Sequence, residues 1–197
     1  MTEDGRAPIT AIIYSDSRAA AALLARAAAA AQNAGLACVG MVQRDEPREG
    51  RCGCDMILDD LATGEHHRLS EDRGPEARGC RLDGGVLAAV TAKVTADLDE
   101  PCDLVVLNKF GKSEAEGGGL RPLIAEALAR ELAILIAVPW RNIESWREFA
   151  GAYAHEIRAE DLAQANTREL LALIRLGRVE VDSGAGPLRA GPLRRDA

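Results

Sequence analysis

A chain of 197 residues, 47% hydrophobic and only 3% aromatic, has the length for one domain with a sizeable core of Ala, Leu, Val and Ile. Its formal charge of -7 argues against a nucleic-acid partner, because an acidic surface repels phosphates. No stretch reaches the roughly 18 apolar residues of a membrane span, and residues 2–8 show no signal-peptide pattern, so a cytoplasmic location is expected.

The elements follow in order. Ile9–Tyr14 is a β-branched run and is predicted to be a strand. Residues 19–34 are alanine-rich and predict a helix ended by Gly35. Residues 36–43 predict a second strand, which makes the pair parallel. The charged stretch 44–51, with Pro47 and Gly50, is expected to be a loop. Residues 55–61 and 65–69 predict a small β-hairpin around Thr63-Gly64, and 71–81 an irregular segment. Asp83 is placed to cap a helix over 84–98, where Val86, Val90 and Val94 recur every four residues. Residues 103–107 read as a buried strand, 108–119 as a glycine-rich loop, 120–131 as a helix and 132–138 as a fully buried strand. A short helix over 142–149, an edge strand over 154–157 and a last helix over 160–174 complete the domain, set at residues 1–176. Residues 177–197 are rich in Gly, Pro and Arg and are expected to form a mobile tail. The alternation predicts an α/β fold, a mainly parallel sheet with helices on both faces.

In such sheets ligands bind beyond the carboxyl ends of the strands. That singles out two loops. The first holds Ser15, Ser17 and Arg18, with Ser15 or Ser17 a candidate N-cap. The second holds Asn108, Lys109, Lys112, Glu114, Gly117, Gly118, Gly119 and Arg121. Two lysines, a glycine run and a helix N-terminus suit an anion. Arg121 in a first helical turn is unfavourable unless an anion offsets it. Glu114 and Glu116 are expected to face solvent or to pair with Arg121. The alternative for this loop is a solvated charged surface.

Cys52-x-Cys54, with Cys80 later, is a candidate metal set, since thiolates suit soft ions. The spacing departs from the usual pair, and the odd count of five cysteines favours reduced thiols. Cys38 and Cys102 lie beside apolar runs and are expected in the core. His66 and His67 fall on opposite faces of a strand and are not expected to share one ion. Trp140 and Trp146 are expected to pack in the core, with stacking on a ligand as the alternative.

The segments 12–14, 39–43, 60–64, 79–83 and 107–136 resemble a bacterial family described as nucleoside-triphosphatase-like and often encoded near molybdate-transport genes. More distantly the chain is similar to a small nucleoside-triphosphatase family related to P-loop kinases. The string Asn108-Lys109-Phe110-Gly111-Lys112 with Glu114-Ala115-Glu116-Gly117 carries the likeness most specifically. The resemblance implies a P-loop-like fold. The chemistry departs from it: residues 15–25 contain neither glycine nor lysine, whereas a phosphate cradle needs both. Asn108 and Lys109 stand where Walker B carboxylates would hold magnesium.

A degenerate P-loop-like protein that binds a small oxyanion, molybdate foremost, or a phosphate-bearing ligand is therefore expected, in an accessory role in metal-oxyanion metabolism. A nucleotide is less favoured as cofactor, and an enzyme is not the expected outcome. The alternatives are a divergent nucleoside triphosphatase or kinase, and a regulatory partner-binding protein. The expected partner is a small anionic ligand, with no nucleic acid and no membrane, and a homo-oligomer is compatible with the sequence.

Overall fold

The computed structural model describes residues 8–47, 54–71 and 81–175. Their backbone forms β1 (Ile9–Tyr14), α1 (Ser17–Asn33), β2 (Cys38–Pro47), β3 (Cys54–Asp60), β4 (His66–Arg68), β5 (Ser70–Glu71), β6 (Arg81–Leu82) and α2 (Gly84–Asp97). Then come β7 (Leu104–Leu107), α3 (Lys112–Ala115), α4 (Arg121–Ala129), β8 (Ala133–Pro139), α5 (Ile143–Ala150), β9 (Ala154–Arg158) and α6 (Thr167–Arg175).

The main sheet has seven strands in the order β4-β3-β2-β7-β8-β1-β9. The pairs from β2 through β9 are parallel, while β3 and β4 add antiparallel strands at one edge. The α/β fold expected from the sequence is present. The strands β1, β7 and β8 are buried at every position, as strands covered on both faces must be. One face carries Ile12, Leu104, Val106 and Leu135 against the alanine-rich helix α1 and α6. The other carries Ile9, Val105 and Ile136 against α2, α4 and α5. Alanine on α1 serves this packing: Ala20, Ala27, Ala28 and Ala31 are each at most 2% exposed, so the helix lies close to the sheet. No helix among the described residues is long and apolar enough to cross a membrane.

The structure departs from the expected elements in three segments. Residues 44–47, expected in a loop, extend β2, because β3 pairs with them in register from Met41–Asp60 to Pro47–Cys54. The charges are matched across the pair, with Arg44 Nε donating to Asp59 Oδ2 at 2.9 Å. The hairpin is thus an extension of the main sheet. In the segment 71–81, the ends pair as β5 and β6, and residues 72–80 lie outside the described set. The expected helix 160–174 divides into a short turn (Glu160–Leu162) and α6. Asn166 and Glu169 cause the division: Asn166 Oδ1 accepts from the Glu169 N–H, and Glu169 Oε2 accepts from the Asn166 N–H, a reciprocal capping box. The expected tail, 177–197, also lies outside the described residues.

Gly40 lies in the middle of β2 at φ +118°, and a Cβ there would overlap the Val106 carbonyl of the neighbouring strand. Only glycine lets β2 and β7 pair at this point.

Candidate functional site

The C-terminal ends of β1 and β7 are two strands apart, with β8 between them. The loops that follow them meet in one cleft of about 490 Å³. It is lined by Tyr14, Ser17, Arg18, Gln43, Arg44, Asp45, Asn108 and Lys109 over an alanine wall from α1. The structure therefore brings together Ser17, Arg18, Asn108 and Lys109 from the two predicted loops.

The remaining predicted residues stand elsewhere. Ser15 donates to Glu160 Oε1 at 3.4 Å. Lys112 is exposed and faces Glu116 at 3.6 Å, a pair of little energetic weight. Gly117, Gly118 and Gly119 are exposed and do not line the cleft. Cys54 lines the cleft at the start of β3, whereas Cys52 and Cys80 lie outside the described residues. Cys38 is a core thiol, pushed up to about 11 by burial, with Cys102 and Asp103 adding to the shift.

Two expectations about anion-binding main chain are corrected. Neither serine caps α1: the N-cap is Asp16, whose Oδ1 accepts from Arg18 N at 2.8 Å and Ala19 N at 3.3 Å. Glu114 does not face solvent. It is 5% exposed, and its carboxylate accepts from Gly111 N at 2.8 Å and Leu120 N at 2.9 Å. The loop 108–119 is therefore not irregular throughout. It holds the turn α3, whose Glu114 reaches both into the turn's own start and across to the start of α4. Gly119, at φ +60°, sits so close that a Cβ would run into the Glu114 carboxylate. At both helix starts a carboxylate of the chain itself occupies the place reserved for an outside anion.

Arg121 also has a structural partner set. Its Nε donates to the Glu114 carbonyl at 2.5 Å, and its guanidinium lies 4.7 Å from the Phe149 ring centroid and 5.6 Å from that of Phe110. Carbonyl and π faces offset the cation in the first turn. Phe110 in turn packs edge-on against Trp146 at 5.2 Å. Trp146 is in the core as expected, while Trp140 is 53% exposed. Trp140 follows the C-terminal end of β8, where the chain leaves the sheet for solvent.

Lys109 is the half-buried cation of the cleft. Burial lowers its pKa, with Arg141 lowering it further; Asp45 and Glu114 partly oppose the shift. Among the described residues neither Lys109, Arg18 nor Arg141 has an ion-pair partner. Arg44 differs: its guanidinium is taken by Glu46 and Asp59. Asn108 Nδ2 donates to Gln43 Oε1 at 2.9 Å, which fixes the amide beside the lysine. Arg141, Gln43 and Asp45 were missed by the sequence reading. Arg141 was accessible to it, since it follows β8 as the chosen loops follow β1 and β7. Gln43 and Asp45 were hidden by the expectation that the strand ended at 43.

Only Ser15 and Asp16 separate β1 from α1. Two residues do not wrap a phosphate in the way an eight-residue P-loop does.

Residues 9–166 match the model of a protein family of unknown function, DUF2478. The chain belongs to that family. It is also 34% identical over 152 residues to the molybdenum import ATP-binding protein ModC 2 of Bradyrhizobium diazoefficiens. The match takes in 77% of this chain and 17% of that protein, so the chain spans less than a fifth of its relative's length. No solved structure matches the chain.

Proposed function

We propose that the protein binds a small tetrahedral oxyanion, molybdate first among them, or the phosphate group of a larger ligand, in the cleft between the ends of β1 and β7. The observation that carries the proposal is Lys109. A half-buried ammonium held near a second cation, with no carboxylate among the described residues in hydrogen-bonding contact, is unfavourable on its own. An anion relieves that cost, and perturbed groups of this kind gather at functional sites. Lys109 supplies the central charge, Arg18 supplies charge on the cleft wall, Arg141 adds charge close enough to act on Lys109, and the Asn108 amide and Ser17 hydroxyl supply neutral hydrogen bonds. Charge-assisted hydrogen bonds contribute about 1.5–3 kcal/mol each, so three or four contribute about 5–12 kcal/mol before ordering costs, a range that spans the roughly 8 kcal/mol of micromolar binding. Molybdate is placed first because a relative's name ties it to molybdenum import. The role proposed is an accessory one, as a ligand-responsive unit rather than a nucleotide hydrolase. The two-residue β1–α1 connection and the Asn108-Lys109 pair support that reading.

Calorimetric titration with molybdate, tungstate, sulfate, phosphate and ATP tests the proposal. Wild type and Lys112→Ala should bind at least one oxyanion alike, and Lys109→Ala should lose at least about tenfold in affinity, the effect of one charge-assisted bond. Equal binding by Lys109→Ala and wild type sinks the assignment. Magnesium-dependent ATP turnover abolished by Lys109→Ala replaces it with the hydrolase reading.

A further inference from the structure

The hairpin β3–β4 carries a second cluster, on the sheet face that meets α2. Leu58 pairs with His67 and Asp59 with His66. Strand alternation therefore puts Asp60 and His67 on the same face as Leu58, and puts His66 on the other, where its Nδ1 lies 2.7 Å from Asp59 Oδ1. One ligand atom from each of Asp60, Glu65 and His67 fits within a group whose members are all within 4.8 Å of one another.

Three features of the cluster are unexplained by packing alone. First, His67 Nε2 is buried and has no hydrogen-bond partner among the described residues; the nearest acid among them is Glu65, its Oε2 at 3.9 Å. A buried polar nitrogen without a partner is costly. Second, Asp60 is buried at 2% exposure and held rigidly, Oδ1 accepting from Ala62 N at 2.9 Å and Thr63 N at 3.1 Å. Third, the acids outnumber the bases. Among the described residues Lys93 is the cation paired with Asp60 and Asp97, 2.6 Å from Asp60 Oδ2 and 3.4 Å from Asp97 Oδ2, and Glu65 has no lysine or arginine partner. That leaves two negative charges, the complement of a divalent cation.

We propose that Asp60, Glu65 and His67 form a binding site for a divalent transition-metal ion, zinc foremost. An imidazole nitrogen and two carboxylate oxygens are a usual zinc donor set, with water as the fourth ligand. Metal entry gives the stranded His67 nitrogen a partner. Lys93 is the competing cation at Asp60, and its existing contact with Asp97 gives it a place to go. Glu65, exposed on the Thr63-Gly64 turn, closes over the ion from the solvent side.

The test is titration of the full chain, stripped by chelator, with zinc and with cobalt(II). One equivalent of zinc should bind. Glu65→Ala, at an exposed position, and His67→Ala should each weaken it by at least about tenfold, the lower end of what even outer-shell changes do to metal sites. A Cys52→Ser/Cys54→Ser/Cys80→Ser variant should bind as wild type does. Cobalt should give visible d–d absorption without thiolate charge transfer. Lys93→Met should bind zinc more tightly than wild type, which no purely structural role of the cluster would produce. Absence of stoichiometric zinc, loss of binding only in the cysteine variant, or weaker binding by Lys93→Met overturns the proposal.

Discussion

Replacing Glu114 by Ala removes the carboxylate that ties the start of α3 to the start of α4. Two main-chain donors, Gly111 N and Leu120 N, lose acceptors at 2.8 and 2.9 Å. Each bond is charge-assisted and buried, worth about 1.5–3 kcal/mol. Gly117, Gly118 and Gly119 are exposed beside it, so water can enter the vacated space and the lower end of the range applies. The expected loss is about 3 kcal/mol. For a chain of this size that is a fall in Tm of roughly 6–12 °C. Glu114→Gln keeps an acceptor oxygen for one N–H but turns an NH2 toward the other, and should lose about half as much. Thermal and urea unfolding followed by circular dichroism measure both. Small carboxylates offer a second readout: acetate or formate should raise the Tm of Glu114→Ala and leave wild type unchanged, since the wild-type nest is already filled. A Glu114→Ala protein within about 1 kcal/mol of wild type would refute the claim that this loop is organised by its own anion.

Other perturbations separate stability from ligand binding. Gly40→Ala should destabilise by more than about 3 kcal/mol or abolish folding, because its Cβ meets the Val106 carbonyl in a strand pair that cannot spread; unfolding curves or soluble yield decide this. Lys109→Met should be more stable than wild type at neutral pH even as it loses anion binding. A lysine whose folded pKa is depressed opposes folding while protonated, and that penalty is lifted as pH rises from the folded value toward 10.5; the stability gap between the two proteins should close over the same window. Asp60 has the opposite linkage. Burial raises its pKa, but the bonds from Lys93, Thr63 and Ala62 outweigh burial and lower it, so its contribution should vanish as pH falls below about 4, and Asp60→Asn should flatten that part of the stability profile.

The architecture was legible because each central strand is a run of apolar residues bounded by polar breaks. Ile9–Tyr14, Leu104–Leu107 and Ala133–Pro139 needed no tertiary information. The charged end of β2 was not legible. Its residues 44–47 are strand only because β3 pairs with them, and local composition does not report a cross-strand partner. The cleft was half visible: the rule that ligands sit beyond strand ends found Ser17, Arg18, Asn108 and Lys109, and applied to β8 it would have found Arg141. The roles of Glu114 and Arg121 were not visible. Sequence shows a carboxylate beside a glycine run but not which way it turns. The inward turn depends on Gly119 adopting φ +60° and leaving the space a side chain would fill. Arg121 likewise depends on Phe149, which lies 28 residues further along the chain.

The most direct test of the account is a crystal of the full chain soaked in tungstate or molybdate, with the metal located by its anomalous scattering. The strongest peak should lie within hydrogen-bonding reach of Lys109 Nζ and the Asn108 amide, in the cleft between β1 and β7, and should be missing in Lys109→Ala. A peak at the main-chain amides of residues 117–120, or none in the cleft at concentrations that saturate binding in solution, would contradict it.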